Sequence, residues 1–271
     1  MQLYRPLEIL TARPGPDLLR RAPHHLFGIL DASERASAAS WRDLALATIS
    51  ANEAKLPIIV GGTGLYLRAL MHGLADLPAV PPDIREAATA RYADLGPEAF
   101  HAELARIDPQ TASRLPPSDR QRLIRAWEIY QATGRSLGDF LSHPVVPPPD
   151  DLVFHPVVLM PPRPALYAVI DARVEAMVER GVLAEIGTLA PLDPSLPILK
   201  SVGAREFLAH INGQCSLAES VQAAQQATRH YAKRQTTWFR HQMADATQFS
   251  KFYNPNDAEI YSFIRQNLLT G

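Results

Sequence analysis

An α/β core interrupted by a helical insertion is the architecture that this 271-residue chain predicts. Three observations lead there. Short apolar runs followed by helical apolar faces occur in both outer parts of the chain. Two proline clusters, Leu77–Pro82 and His143–Pro149, punctuate its middle, and the pattern between them reads as helical throughout. Residues 1–75 and 151–271 are therefore expected to form the α/β core with C-terminal helices, and residues 76–150 an all-helical insertion.

In chain order, Leu26–Leu30 reads as a strand, Ala39–Glu53 as a helix and Leu56–Val60 as a second strand. Within the insertion, Asp83–Tyr92, Pro97–Ile107, Gln110–Leu115, Asp119–Thr133 and Ser136–Ser142 read as short helices separated by Gly or Pro breaks. Leu152–Met160 reads as another strand, followed by long helices from Arg163 to Arg180 and from Leu217 to about Met243.

The most informative stretch is Leu56–Leu70, LPIIVGGTGLYLRAL. Leu56, Ile58, Ile59 and Val60 have the continuous apolar character of a strand buried on both faces. Gly61-Gly62 breaks the run, Thr63 stands at a helix-capping position, and Leu65, Leu67, Leu70 and Met71 begin a helical apolar face. A strand, a glycine turn and a helix N-terminus place free N–H groups and a hydroxyl where open α/β sheets bind phosphorylated ligands. An ordinary βα loop with glycines closing a tight turn has the same local pattern. Gly-Gly-Thr matches neither GxGxxG nor GxxxxGK[ST], so both readings stay open.

Composition bounds the partners. Apolar residues make up 46% of the chain, enough for one large domain or two smaller ones with real cores. The net charge is −1, so no global positive field recruits nucleic acid, and any basic site must be local. Cys215 is the single cysteine, which excludes a disulfide framework and a thiolate metal cluster. No apolar run reaches membrane-spanning length and no leader pattern precedes the first helix. A reducing, cytoplasmic setting without membrane attachment is expected.

Two helices concentrate positive charge. Ser118-Asp119-Arg120-Gln121 has the form of a capping box, and in the helix it starts Leu123, Ile124 and Trp127 make the buried face. Arg122 and Arg125 lie together on the other side, where a single Arg pair is more simply a solvated charged face. Ser216-Leu217-Ala218-Glu219 is a second capping box. Behind it Leu217, Val221, Ala224, Tyr231 and Trp238 run along one side, while Arg229, Lys233 and Arg240 form a basic stripe widened by His230 and Arg234. That stripe fits a phosphate backbone or a diphosphate, and equally a solvated face. No HExxH, Cys/His set or nucleophile elbow is present, and His24-His25 have poor ligand spacing.

Taken together these stretches resemble the bacterial tRNA dimethylallyltransferases. Met1–Arg5 (MQLYR) is similar to the second half of that family's D-S-M-Q-x-Y segment, Thr11–Pro14 (TARP) to its T-A-K-P, and Pro23–Leu26 (PHHL) to its P-H-H-L. Ile59–Tyr66 (IVGGTGLY) resembles G-G-T-x-L-Y, Gln121–Arg125 (QRLIR) the Q-R segment, Ser201–Glu206 (SVGARE) the G-Y-R-E region, and Tyr231–Arg240 (YAKRQTTWFR) the motif K-R-Q-x-T-W-x-R.

The resemblance implies a P-loop nucleoside-kinase-like α/β core with a helical tRNA-binding insertion. It implies transfer of a dimethylallyl group from dimethylallyl diphosphate to N6 of an anticodon-loop adenosine, with Mg²⁺ as cofactor. The expected partners are a tRNA anticodon stem-loop and the diphosphate, with the protein acting as a monomer. Carried over residue by residue, Thr63 lies near the reacting base. Met1, Gln2, Thr63, Arg85, Gln121, Arg122, Leu123, Ile124, Arg125, Lys200 and Arg205 are the implied tRNA-binding residues. Arg173, Arg229, Lys233 and Arg234 are candidates for the diphosphate or the RNA backbone, and no metal ligand is identifiable.

Departures from the family pattern are also visible. No counterpart of its G-P-T-A-S-G-K-[ST] loop occurs in the 271 residues, so the P-loop strand is missing on this reading. The aspartate expected as general base would precede Met1, and the chain is expected to be N-terminally truncated and inactive as given. Leu10 replaces a glycine, Ala204 a tyrosine, and Val169 an arginine of the family's pattern. The alternative is a non-catalytic tRNA-binding remnant. A free-adenylate prenyltransferase or nucleotide kinase would have no need of a helical RNA-reading insertion.

Overall fold

In the computed structural model, which describes residues 1–53, 55–143, 145–254 and 258–268, helices dominate and the sheet is small. In chain order the elements are α1 (Pro16–Arg21), α2 (Ala38–Ser50), α3 (Gly64–His72), α4 (Pro82–Ile107), α5 (Pro109–Ala112), α6 (Arg120–Thr133) and α7 (Leu137–Leu141). They continue with β1 (Val157–Leu159), α8 (Arg163–Glu179), α9 (Val182–Gly187), a 3₁₀ turn at Pro197–Lys200, α10 (Ala204–Ile211), α11 (Leu217–Gln242), β2 (Thr247–Phe249) and α12 (Ala258–Leu268). β1 and β2 pair in parallel, Val157 opposite Thr247 and Leu159 opposite Phe249. Among the described residues no helix is long and apolar enough to cross a membrane.

Two of the expected strands are corrected. Leu56–Val60 forms no regular element and joins no ladder among the described residues, and it lies exposed, Ile58 at 73% and Val60 at 80%. Apolar character alone does not make a buried strand when no neighbour supplies its N–H and C=O partners. At Leu26–Leu30 a single bridge joins Leu30 to Tyr4. Leu26 (φ 64°) and Gly28 (φ 61°) adopt left-handed backbone that an extended ladder cannot continue through. The strand expected over Leu152–Met160 shortens to β1, so the α/β core is a mostly helical assembly with a two-stranded sheet.

The chain divides into two compact units, Met1–Leu70 with Asp150–Gly271, and Met71–Pro149. In the first, the core joins Tyr4, Leu7 and Leu10 of the N-terminal segment to Val174 and Met177 of α8, Val182 and Ile186 of α9, Phe207 of α10 and Ala224 of α11. Polar bonds complete this packing. The Glu185 carboxylate accepts the backbone N–H groups of Glu8, Ile9 and Leu10 at 2.8, 2.6 and 2.9 Å, pinning the N-terminal loop to α9. Ser216 and Glu219 form the expected reciprocal capping box at the start of α11.

In the second unit, Phe100 and Leu104 of α4 pack against Leu123, Ala126 and Ile129 of α6. The expected break between two helices appears as a kink in α4 at Gly96 (φ 75°), just before Pro97. The capping box expected at Ser118 is replaced: Asp119 is the N-cap and accepts the Arg122 N–H at 3.3 Å. Asp108, 1% exposed, ties three segments together. Its carboxylate accepts from the Thr111 N–H at 3.0 Å, the Ser136 hydroxyl at 2.8 Å and the Leu137 N–H at 3.2 Å. Burial pushes this carboxyl up, but the hydrogen bonds from Thr111, Ser136 and Leu137 together outweigh it and hold it below the ordinary value.

Glu185→Ala leaves three loop N–H groups without their carboxylate and should lower unfolding free energy by about 2 kcal/mol, read by urea denaturation. Because the Asp108 carboxyl is depressed in the folded state, its stabilisation is present above the unfolded pKa of about 4 and is lost as pH falls through the lower folded value. Amide protection in α5–α7, measured against the intrinsic exchange rate at each pH, should therefore fall in acid for the wild type. Asp108→Asn should show faster exchange at neutral pH and a flatter acid dependence.

Candidate active site

The Gly-Gly-Thr-Gly turn lies against the C-terminal half of α11. The Gln235 side-chain amide donates to the Gly62 carbonyl at 2.9 Å. A Cβ on Gly62 would overlap that amide, and a Cβ on Gly64 would overlap the indole of Trp238. Farther on, Arg68 Nη1 donates to Gln242 Oε1 at 3.0 Å. The sequence separations of the two hydrogen-bonded pairs are 173 and 174 residues, so the turn and α3 run beside α11 in parallel register. Thr63 sits between the two glycines, and its carbonyl accepts the N–H groups of Tyr66 and Leu67, opening α3. Tyr66 in turn stacks at a tilt on Trp41 of α2, centroids 5.4 Å apart.

One of the two glycines thus has a reason that the local pattern does not show. Gly64 is required by the close approach of the Trp238 indole, a Cβ on Gly62 would displace the mobile end of the Gln235 side chain, and neither glycine has a positive φ. Gln235 and Trp238 both lie inside the Tyr231–Arg240 motif, yet neither is among the site residues expected from the sequence. Their spacing of three residues, which places both on one helix face, was the available signal.

Beside this turn α11 offers positive charge. His230, Lys233, Arg234, Thr237 and Trp238 line an open groove of about 490 Å³. Lys233 and Arg234 are exposed, and the Arg234 guanidinium lies 5.6 Å from the centroid of the Tyr231 ring. Arg229 does not belong to this basic face: it turns toward α8 and forms an ion pair with Asp171. An acidic partner on the neighbouring helix offsets its charge. Arg173 lies on the exposed side of α8, where the surrounding protein and, secondarily, the like charge of Arg180 pull its guanidinium below the ordinary value. It remains a cation.

The other expected residues are distributed. In the first unit the Met1 side chain is exposed, while the Gln2 amide is engaged by the Thr11 and Ala12 carbonyls at 3.1 and 3.2 Å. Lys200 and Arg205 are exposed on either side of the turn at Ser201–Ala204. In the second unit Arg85, Gln121 and Arg122 are exposed, with Arg122 3.5 Å from Asp119. Leu123 and Ile124 are core side chains of α6, 0% and 8% exposed, so neither presents its side chain at the surface. Arg125 pairs at 3.0 Å with Glu128, a nearly buried carboxylate, so much of its charge is committed internally. Among the described residues no three His, Cys, Asp or Glu side chains converge as a metal site.

Comparison with known proteins gives this geometry a family. The family model for IPP transferase matches residues 2–242. The tRNA dimethylallyltransferase of Rhodospirillum centenum is 52% identical over 253 residues, covering 92% of this chain and 81% of the relative. That of Phenylobacterium zucineum is 50% identical over 248 residues, covering 90% and 80%. Among solved structures, the full-length tRNA isopentenylpyrophosphate transferase of Bacillus halodurans superposes with a TM-score of 0.66 at 33% identity, over 98% of this chain and 84% of that one. A eukaryotic dimethylallyltransferase acting on tRNA shares the fold, with a TM-score of 0.77 at 24% identity over 98% of this chain and 70% of that one. The chain belongs to the IPP transferase family, prenyltransferase enzymes represented among its relatives by the tRNA dimethylallyltransferases.

Proposed function

We propose that this chain serves the transfer of a dimethylallyl group from dimethylallyl diphosphate to N6 of an anticodon-loop adenosine in tRNA, as a cytoplasmic monomer with a P-loop-type core. The observation that carries the reading is the Gly-Gly-Thr-Gly turn held against the cationic face of α11, in a chain half identical to tRNA dimethylallyltransferases. In the reaction N6 bonds to C1 of the prenyl group while the C1–O bond breaks. Its electron pair leaves on the diphosphate, and N6 gives up a proton to a base.

The residues divide the work by charge. Lys233 and Arg234 in the groove, with Arg173, would hold diphosphate or backbone phosphate, stabilising the negative charge that builds on the leaving group. Thr63 places a hydroxyl beside the adenine, which must leave its stack to be enclosed. The unit Met71–Pro149 is the RNA-reading insertion, with Arg85, Gln121 and Arg122 on its surface. RNA loops present unstacked bases, so phosphate contacts plus one enclosed base are sufficient recognition. Mg²⁺ would supply further positive charge to the departing diphosphate.

Because no counterpart of the family's phosphate loop occurs among the 271 residues, incubating this chain with an anticodon stem-loop and dimethylallyl diphosphate should leave the RNA bound but unmodified by mass spectrometry, and RNA heavier by one prenyl unit would overturn that expected inactivity. Absence of RNA binding would overturn both this reading and the non-catalytic remnant. Lys233→Ala with Arg234→Ala should weaken stem-loop binding and reduce the salt slope by about 2, since each cation removed leaves one phosphate unneutralised. Arg122→Ala should reduce it by about 1. An unchanged slope assigns Arg122 to a solvated face. The Arg125 variant is less informative because it strands the buried Glu128.

A further inference from the structure

We propose that Gln235 is a positioning residue for the transfer reaction, setting the orientation of the Thr63 turn from α11, with Trp238 as the seat on which the turn rests. The inference depends on the reading of Thr63 as the residue beside the reacting adenine.

The turn has little other support on its upstream side. Residues 56–60 enter it exposed and without a ladder partner among the described residues, so no strand fixes where Gly61 emerges. Downstream, α3 begins at Gly64, and that glycine is the point where Trp238 abuts the backbone. The two contacts therefore bracket Thr63, one on the residue before it and one on the residue after it. They differ in kind. Trp238 limits how close the turn comes, whereas the Gln235 amide selects the direction of the Gly62 carbonyl, and with it the peptide plane joined to Thr63.

Gln235 also ties the two halves of the site together. It lies one residue beyond Arg234 and two before Thr237, both of which line the groove. A rigid helix thus carries the cations and the group that orients the turn, so the phosphate-binding face and the base-enclosing hydroxyl keep a fixed relation. Removing the amide should leave the cations in place while freeing the turn. RNA affinity should survive, and enclosure of the base should not.

The test uses the full chain and an anticodon stem-loop with 2-aminopurine in place of the target adenosine, whose emission rises when the base unstacks. Gln235→Met keeps the length of the side chain and lacks the donor. It should bind the stem-loop within about twofold of wild type yet lose at least about half of the emission rise, with transfer slowed about tenfold at saturating RNA where turnover is measured. Gly62→Ala should also lose the emission rise, because its methyl meets the Gln235 amide. Combining it with Gln235→Ala relieves the overlap but also removes the donor, so the double variant should remain as low as Gln235→Met. Wild-type emission from Gln235→Met overturns the positioning role, as does a double variant with wild-type emission. Should Gln235→Met fail to fold, the Gly62→Ala pair decides. A wild-type protein that binds the RNA with no emission change overturns the Thr63 reading itself, and the proposal with it.

Discussion

The contact between α11 and the Gly-Gly-Thr-Gly turn organises the first unit, because α11 takes part in nearly everything else there. At 26 residues it is about 39 Å long at the usual helical rise. Its first turn is closed by the Ser216–Glu219 box, and Ala224 enters the core beneath it. Gln225 and Arg229 then reach Asp171 on α8. The last turns seat the glycines and pair Gln242 with Arg68, after which the chain passes into β2. A displacement of this helix would disturb core, site and sheet together.

Charge pairing explains how a nearly neutral chain still offers a locally basic face. Arginines that look equivalent in sequence are divided by their neighbours. Arg229 and Arg125 are neutralised by Asp171 and Glu128, carboxylates on a facing helix and one turn along the same helix. Arg91 is held by Glu103, which also accepts the Trp127 indole N–H at 3.2 Å. Lys233 and Arg234 instead face an open groove beside the turn. Binding at such a local site is screened strongly by salt, since no long-range field from the rest of the protein reinforces it.

Much of the helical framework was legible because local signals were decisive there. Ser216 with Glu219, the apolar faces of α6 and α11, and the Gly96-Pro97 break each act within a turn or two of helix. The sheet was not legible. A run such as Ile58-Ile59-Val60 states that it can be a strand, but pairing depends on a neighbour distant in sequence. The site shows the same limit. Thr63, Lys233 and Arg234 could be named as candidates from motifs, whereas the ion pair of Arg229 became visible only once Asp171 was seen beside it. Leu123 and Ile124 were drawn in by lying inside a motif, although their own periodicity already marked them as core.

The two contacts on the turn also differ in strength, which bears on how the site behaves. A side-chain amide on a partly exposed carbonyl contributes about 1 kcal/mol net, not far above thermal energy. Exclusion by an indole against a glycine is far steeper, because overlap of packed atoms admits no gradual yielding. The turn is therefore fixed in distance and soft in direction. Direction is left to the Gln235 amide, while any side chain at position 64 is refused outright. The fourth residue of Gly-Gly-Thr-Gly is thus governed by residue 238, a constraint that originates on another helix and leaves no trace within the turn itself.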